Sequence, residues 1–377
     1  MANPSMWMAV GYQKDFSVFD SMTNQFKTSN FTFFGYPRNI SISHYDKARE
    51  AIAKYYADTN DVKSICEYGT VTAPGVSDLD IILVLDDDQN KDHISYDFKH
   101  LNADVISFVE NGNVIKMPVS VYKQSKFVDF FNVKVVSGVD YNRQEPCDEY
   151  LNMLRQVSIL DWLPERILRI SNTLNSGKID ISNALCLLHS FGYSLKNVES
   201  ILNMPDASVE FLNVISELRS EWGQFQNPES ILISALYGAL DIGVKYMNLY
   251  EIYFKKNHLD SIGASLEKLD SSLEVSLPIH YGQSLNFLNE TTILENSRIT
   301  FSKVFGSHFK LLGSFDNYIS SQVSSRLRIA KYYISDFEKN SYADVLRTKS
   351  NLMSENYKFL QSISESKGLL RYGLYVG

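Results

Sequence analysis

A chain of 377 residues, 44% hydrophobic and 21% charged, has an ordinary globular composition and length enough for two or three domains with a substantial core. Its formal net charge of −8 argues against a protein whose main work is coating nucleic acid, because neutralising phosphates takes clustered Lys and Arg. A small nucleotide held through a metal stays allowed. Cys66, Cys147 and Cys186 have neither metal-ligand spacing nor the pattern of a disulfide framework, so reduced thiols in a cytoplasmic protein are expected.

In chain order, residues 1–42 read as an irregular arm rich in Asn, Ser, Phe and Tyr, with no signal-peptide pattern over residues 1–16. Ser43-His44-Tyr45-Asp46 resembles a capping box with Asp in place of Glu, and predicts a helix over 45–56. Val62–Tyr68 reads as a strand. Ile81-Ile82-Leu83-Val84-Leu85 is a continuous apolar run, which predicts a strand buried on both faces. Asp86, Asp87 and Asp88 stop it and read as a solvated loop. Asn111-Gly112 between the apolar runs 103–109 and 114–122 predicts a hairpin. Residues 132–136 add a further strand.

Past Pro146 helical periodicity takes over, with helices expected over 148–174, Ile181–Leu202, 209–222 and 228–256, and several more within 301–363. The apolar stretch 231–254 carries Asp241, Lys245 and Glu251, and is read as a buried helix rather than a membrane span. The expected architecture is α+β: an arm over 1–42, a small mixed-sheet domain over 43–145 and a larger helical domain over 146–377. The 23 Tyr and 22 Phe are spread along the whole chain, as core-filling side chains would be.

Chemistry concentrates between the first two strands. Asp78 and Asp80, one residue apart at the start of a strand, point to one face, while Leu79 points into the core. Such a pair can share divalent ions, and an all-oxygen site that keeps waters suits Mg²⁺. Gly69-Thr70 follows a strand at a tight turn, where glycine admits close backbone approach to a phosphate and Thr70 adds a hydroxyl. Pro74-Gly75 makes a second turn, and Ser77 is placed to brace the first carboxylate.

The string Glu67-Tyr68-Gly69-Thr70, then Gly75-Val76-Ser77-Asp78-Leu79-Asp80, resembles the active-site signature of the nucleotidyltransferase superfamily of DNA polymerase beta. The resemblance covers residues 45–140. It implies phosphate contact at Gly69 and Thr70, metal ligation at Asp78 and Asp80 by Mg²⁺ or Mn²⁺, and an NTP as substrate. It also implies a third carboxylate on a neighbouring strand. Asp104, in Asn102-Ala103-Asp104-Val105-Ile106, fits that local pattern as metal ligand and general base. Ser120 stands at the competing position, and if it is the true equivalent the site is incomplete.

Thr70 replaces the usual serine with the hydroxyl retained. The basic residue often found just after that pair is missing, so triphosphate contacts must come from elsewhere. Arg155, Arg166 and Arg169, on the first helix after Pro146, are read as surface ion-pair formers that a folded-back helical domain can aim at the triphosphate. His189 is read as a satisfied core residue, and Ser324-Ser325-Arg326-Leu327-Arg328 with Lys331 as a solvated basic face.

The expected activity is transfer of a nucleoside monophosphate from an NTP to a hydroxyl acceptor, with release of pyrophosphate. The acceptor, a small molecule, sugar, protein side chain or RNA end, should lie between the two domains. The alternatives are a catalytically silent fold used as a binding or scaffold module, and a partner-regulated toxin or defence protein.

Overall fold

The computed structural model describes residues 30–88, 114–127, 132–254 and 256–257, with four short strands inside 276–312 and single helical positions within 345–359. Asp104, the run 103–109, the Asn111-Gly112 turn and the basic stretch 324–331 lie outside the described residues.

The first helix, α1 (Ile42–Tyr56), begins at Ser41, two residues ahead of the expected cap. His44 takes the part Glu plays in a capping box: its Nδ1 accepts the Ser41 N–H at 3.3 Å. Asp46 instead pairs with Arg49 at 2.8 Å. Tyr45, Ala48, Ile52 and Tyr56, spaced three and four apart, form the buried face.

That face covers a four-stranded mixed sheet of β2 (Val62–Tyr68), β3 (Asp80–Leu85), β4 (Val114–Pro118) and β5 (Val133–Gly138), numbered after β1 (Thr32–Phe34). The strand order is β4-β3-β2-β5, and β3 runs parallel to β4 but antiparallel to β2. Two-residue alternation divides the central strand between two cores. Leu79, Ile81, Leu83 and Leu85 pack with Tyr45 and Ile52 on the α1 side. Ile82 and Val84 pack on the other face with Cys66, Ile115, Met117 and Tyr122. The continuous apolar run is thus a strand buried on both sides.

β4 ends at Pro118, and the next residues form a five-residue helix, α2 (Val119–Lys123), rather than the continuing strand expected to 122. Ser120 therefore occupies no strand position. Its N–H and hydroxyl both donate to Asp87 Oδ1, at 3.0 and 2.8 Å, so this member of the acidic loop caps the first turn of α2.

Four longer helices follow: α3 (Asp148–Asn175), α4 (Ile181–Leu202), α5 (Val209–Ser220) and α6 (Pro228–Phe254). They share one core, into which Leu163, Ile167, Leu188, Phe191, Leu236 and Tyr250 are fully buried. α4 starts where Asp180 accepts the Asn183 N–H and stops at Asn203, whose φ of 52° is left-handed. The strand β6 (Lys178–Asp180) precedes it and pairs in parallel with β1, joining the N-terminal stretch to the helical half. Among the described residues α6 is the one helix long and apolar enough to cross a membrane. Its Leu232, Ile233, Leu236, Met247 and Phe254 are instead fully buried within the bundle core.

Farther on, Arg298–Ser302 and His308–Leu312 pair as antiparallel strands where helices were expected from 301 onward. The physical reason is readable in Arg298-Ile299-Thr300-Phe301-Ser302, which alternates polar and apolar with the period of a strand. Ser276–Pro278 and Ser284–Asn286 form another short antiparallel pair. The chain is thus mixed α+β, with a small mixed sheet and several helices.

Candidate active site

The segment between β2 and β3 is shaped by two glycines. Gly69 has φ of +78° and an open space where a Cβ would stand, so the backbone conformation is what calls for glycine. Its N–H donates to Asn132 O at 2.9 Å, so this amide serves the sheet. Thr70 beside it is exposed. At Gly75, φ is +89° and a Cβ would lie 1.9 Å from Arg38 O, which excludes any side chain.

Residues 73–77 close a tight turn. Val76 and Ser77 donate their N–H groups to Ala73 O at 3.1 and 2.8 Å. The Ser77 hydroxyl accepts the Ala73 N–H at 3.1 Å; it braces the turn rather than a carboxylate. Tyr45 pins the same turn from α1. Its buried hydroxyl donates to Ser77 O at 2.6 Å and accepts the Gly75 N–H at 3.0 Å.

The acid pair emerges from this turn. β3 begins at Asp80, so Asp78 belongs to the lead-in rather than to the strand itself. Leu79 is fully buried on the α1 side. Asp80 stands opposite Tyr68 in the register, on the face shared with Cys66 and Ile82. Both carboxylates act on one thiol: Cys186 of α4 is pushed up to about 11, by burial first and then by Asp78, with a smaller contribution from Asp80. Cys186 itself lies at the junction between the turn and the helical half, 3.3 Å from Val76 O. Asp78 is exposed as a residue, yet burial of its carboxyl raises its pKa, and a backbone hydrogen bond and the attraction of Arg219 only partly offset this.

Arg219 comes from α5 and is 6% exposed. Its Nη1 donates to Thr72 Oγ1 at 3.2 Å and its Nη2 to Ser77 Oγ at 3.1 Å, while its Nε meets no acceptor. Burial lowers its pKa, with Cys186, Tyr193 and Asp78 acting the other way. Cys186 donates to Val76 O at 3.3 Å, and Ala73 and Val76 belong to the core of the helical half. The turn that carries the acids is thus embedded in the helices.

No family model, curated protein or solved structure matches this chain. What the site can do rests on its own geometry.

His189 and Tyr193 continue the Cys186 face of α4 at helical spacing. Tyr193, 52% exposed, shares a hydrogen bond of 3.2 Å with His189 Nε2, and the rings meet edge to face at 5.2 Å. Burial, followed by Arg219 and Lys196, pushes His189 down to about 4, so it is neutral at pH 7. Arg166 lies within the bundle: it is 7% exposed, donates to Ser190 and Ser194 at 3.1 and 2.9 Å, and stacks over Trp162 at 4.5 Å. On the same helix Arg155 is half-buried and Arg169 exposed. Among the described residues no three His, Cys, Asp or Glu side chains are grouped to hold a metal ion.

Sequence reasoning missed Arg219, Tyr45 and Cys186. A signal existed for Arg219, since Phe211, Ile215 and Leu218 mark the inner face of α5 and the arginine lies beside them. Nothing local distinguishes Tyr45 from any other inward residue of a helix.

Proposed function

We propose that residues 43–145 form a nucleotidyltransferase-like domain, and that the chain transfers a nucleoside monophosphate from an NTP to a hydroxyl acceptor with release of pyrophosphate. The observation that carries this is the placement of Asp78 and Asp80 directly after a turn that Tyr45 of α1, Cys186 of α4 and Arg219 of α5 hold between sheet and helices. Two carboxylates completed by substrate phosphates and water form an ordinary Mg²⁺ or Mn²⁺ shell, so the donor set fits such an ion. When bound, the ion supplies charge neutralisation on the triphosphate and lowers the pKa of the acceptor hydroxyl. In this proposal Asp78 and Asp80 hold it, Asp104 completes the ligand set and accepts the hydroxyl proton, and the exposed Thr70 hydroxyl donates to a phosphate oxygen. A cytoplasmic protein with reduced thiols belongs to the same proposal.

The competing proposal, a silent binding or scaffold module, is favoured by one set of observations. The Gly69 amide and the Ser77 hydroxyl already serve structural partners, and the described residues supply only two of the required acids. Incubation with each labelled NTP, Mg²⁺ or Mn²⁺ and cell extract separates the two. Label transfer with pyrophosphate release in wild type, absent from Asp78→Asn/Asp80→Asn, is expected for the enzyme. Equal results for both proteins would favour the silent module.

A further inference from the structure

Burying a guanidinium is costly unless its planar fork is satisfied. For Arg166 the bundle itself provides the reason, because Ser190 and Ser194 lie one turn apart on α4 and Trp162 lies one turn back on α3. Arg219 is buried just as deeply, but its partners Thr72 and Ser77 stand 147 and 142 positions back in the chain. They bracket the turn that ends immediately before Asp78. Ser77 also accepts the Ala73 N–H, so guanidinium, hydroxyl and turn form one connected unit. Cys186 ties Val76 O to α4 alongside it.

We propose that Arg219 is a positioning residue: it fixes the 72–77 turn, and with it the direction in which Asp78 leaves that turn, so that the helical half sets the geometry of the acid pair. The consequence for metal binding rests on the metal-dependent activity proposed above; the effect on the turn does not. Arginine suits the task because two Nη donors in a fixed plane span two hydroxyls, where lysine brings a single point charge. Two opposite signs make the role measurable. A cation beside a divalent site repels the metal, so a bystander charge would tighten metal binding when removed. A positioning residue would weaken it.

The test uses full-length Arg219→Met and Arg219→Lys, with circular dichroism to confirm folding. Hydrogen exchange is read at the amides of Ala73, Val76 and Ser77, and Mn²⁺ binding without nucleotide is read by electron paramagnetic resonance. Exchange at these three amides should rise about tenfold or more in Arg219→Met, as expected for losing hydrogen bonds to a charged group, while β2 and β3 stay protected. Mn²⁺ affinity should fall about tenfold by the same measure, and lysine should restore only part of either.

Unchanged exchange at all three amides in a folded Arg219→Met protein would overturn the proposal, and so would tighter Mn²⁺ binding in that variant. A wild-type protein that binds no Mn²⁺ would sink the metal reading alone, because exchange still decides the role of Arg219. If Arg219→Met does not fold, Thr72→Val removes one of the two acceptors at an exposed position. Faster exchange at the same amides then supports the role, and unaltered exchange overturns it.

Discussion

The two faces of the β2–β3 pair treat their carboxylates in opposite ways. On the α1 face Glu67, 5% exposed, is held by both arms of Arg49, with Nε to Oε2 at 2.9 Å and Nη2 to Oε1 at 2.7 Å. That arrangement is bidentate and fully satisfied. On the other face Asp80 heads β3, and burial raises the pKa of nearby Asp78 more than its backbone hydrogen bond and Arg219 lower it. A bidentate ion pair serves stability, whereas a carboxyl whose pKa burial has raised holds its charge at a cost that a bound cation would relieve.

The largest effect expected from this contrast is a ligand response. With Mg²⁺ and an NTP at a hundred times the dissociation constant, wild type should gain about 2.7 kcal/mol of stability. Asp78→Asn/Asp80→Asn should lose that gain while Glu67→Gln keeps it. Thermal melts with each NTP check this, and an equal shift in all three proteins would erase the distinction between the faces. Next in size, Glu67→Gln should cost about 2 kcal/mol in urea unfolding. That is less than a fully buried pair, because Arg49 keeps Asp46 and some solvent. A loss no larger than that of Asp78→Asn would break the contrast from the other side.

Tyr45→Phe should cost about 1–2 kcal/mol, because it leaves the buried Gly75 N–H and Ser77 O without the bridging hydroxyl. It should also weaken the nucleotide response if the turn aims Asp78. Urea unfolding and a melt with ligand measure the two effects separately.

The remaining effects are pH slopes of opposite sign. Asp78 has a folded pKa above its ordinary 3.8. Between the two values the folded state binds more protons, so stability falls as pH rises through that interval. Asp78→Asn should therefore be more stable than wild type above the interval and equal to it below. His189 has a folded pKa of about 4 against an ordinary 6.5. Its contribution is complete above 6.5 and declines as pH drops toward 4, and His189→Gln should flatten that decline. Urea midpoints between pH 4 and 7 measure both, and parallel slopes in all three proteins would contradict both assignments.

Much of the fold could be read ahead of the structure because its signals are local. Val62–Tyr68 and Ile181–Leu202 have the bounds their patterns indicate, and the apolar run after Asp80 is a strand with a core on each side. Local patterns misled where a nonlocal partner decides. Val119-Ser120-Val121 alternates like a strand, but Asp87 reaches across to cap it as a helix. Arg298–Ser302 is a strand, and its polar–apolar alternation has the period of one.

For the candidate site, the sequence alone determined that Leu79 and Ile81 face one core, because alternation along an extended chain is a property of the backbone. It also determined that Gly69 and Gly75 turn the chain, because few other residues accept a positive φ. Only the tertiary structure decided what surrounds them. Thr72 and Ser77 meet Arg219 across 147 and 142 positions, and Cys186 reaches Val76 across 110. Such contacts depend on how the helical half packs against the turn, and no periodicity within either segment encodes that docking.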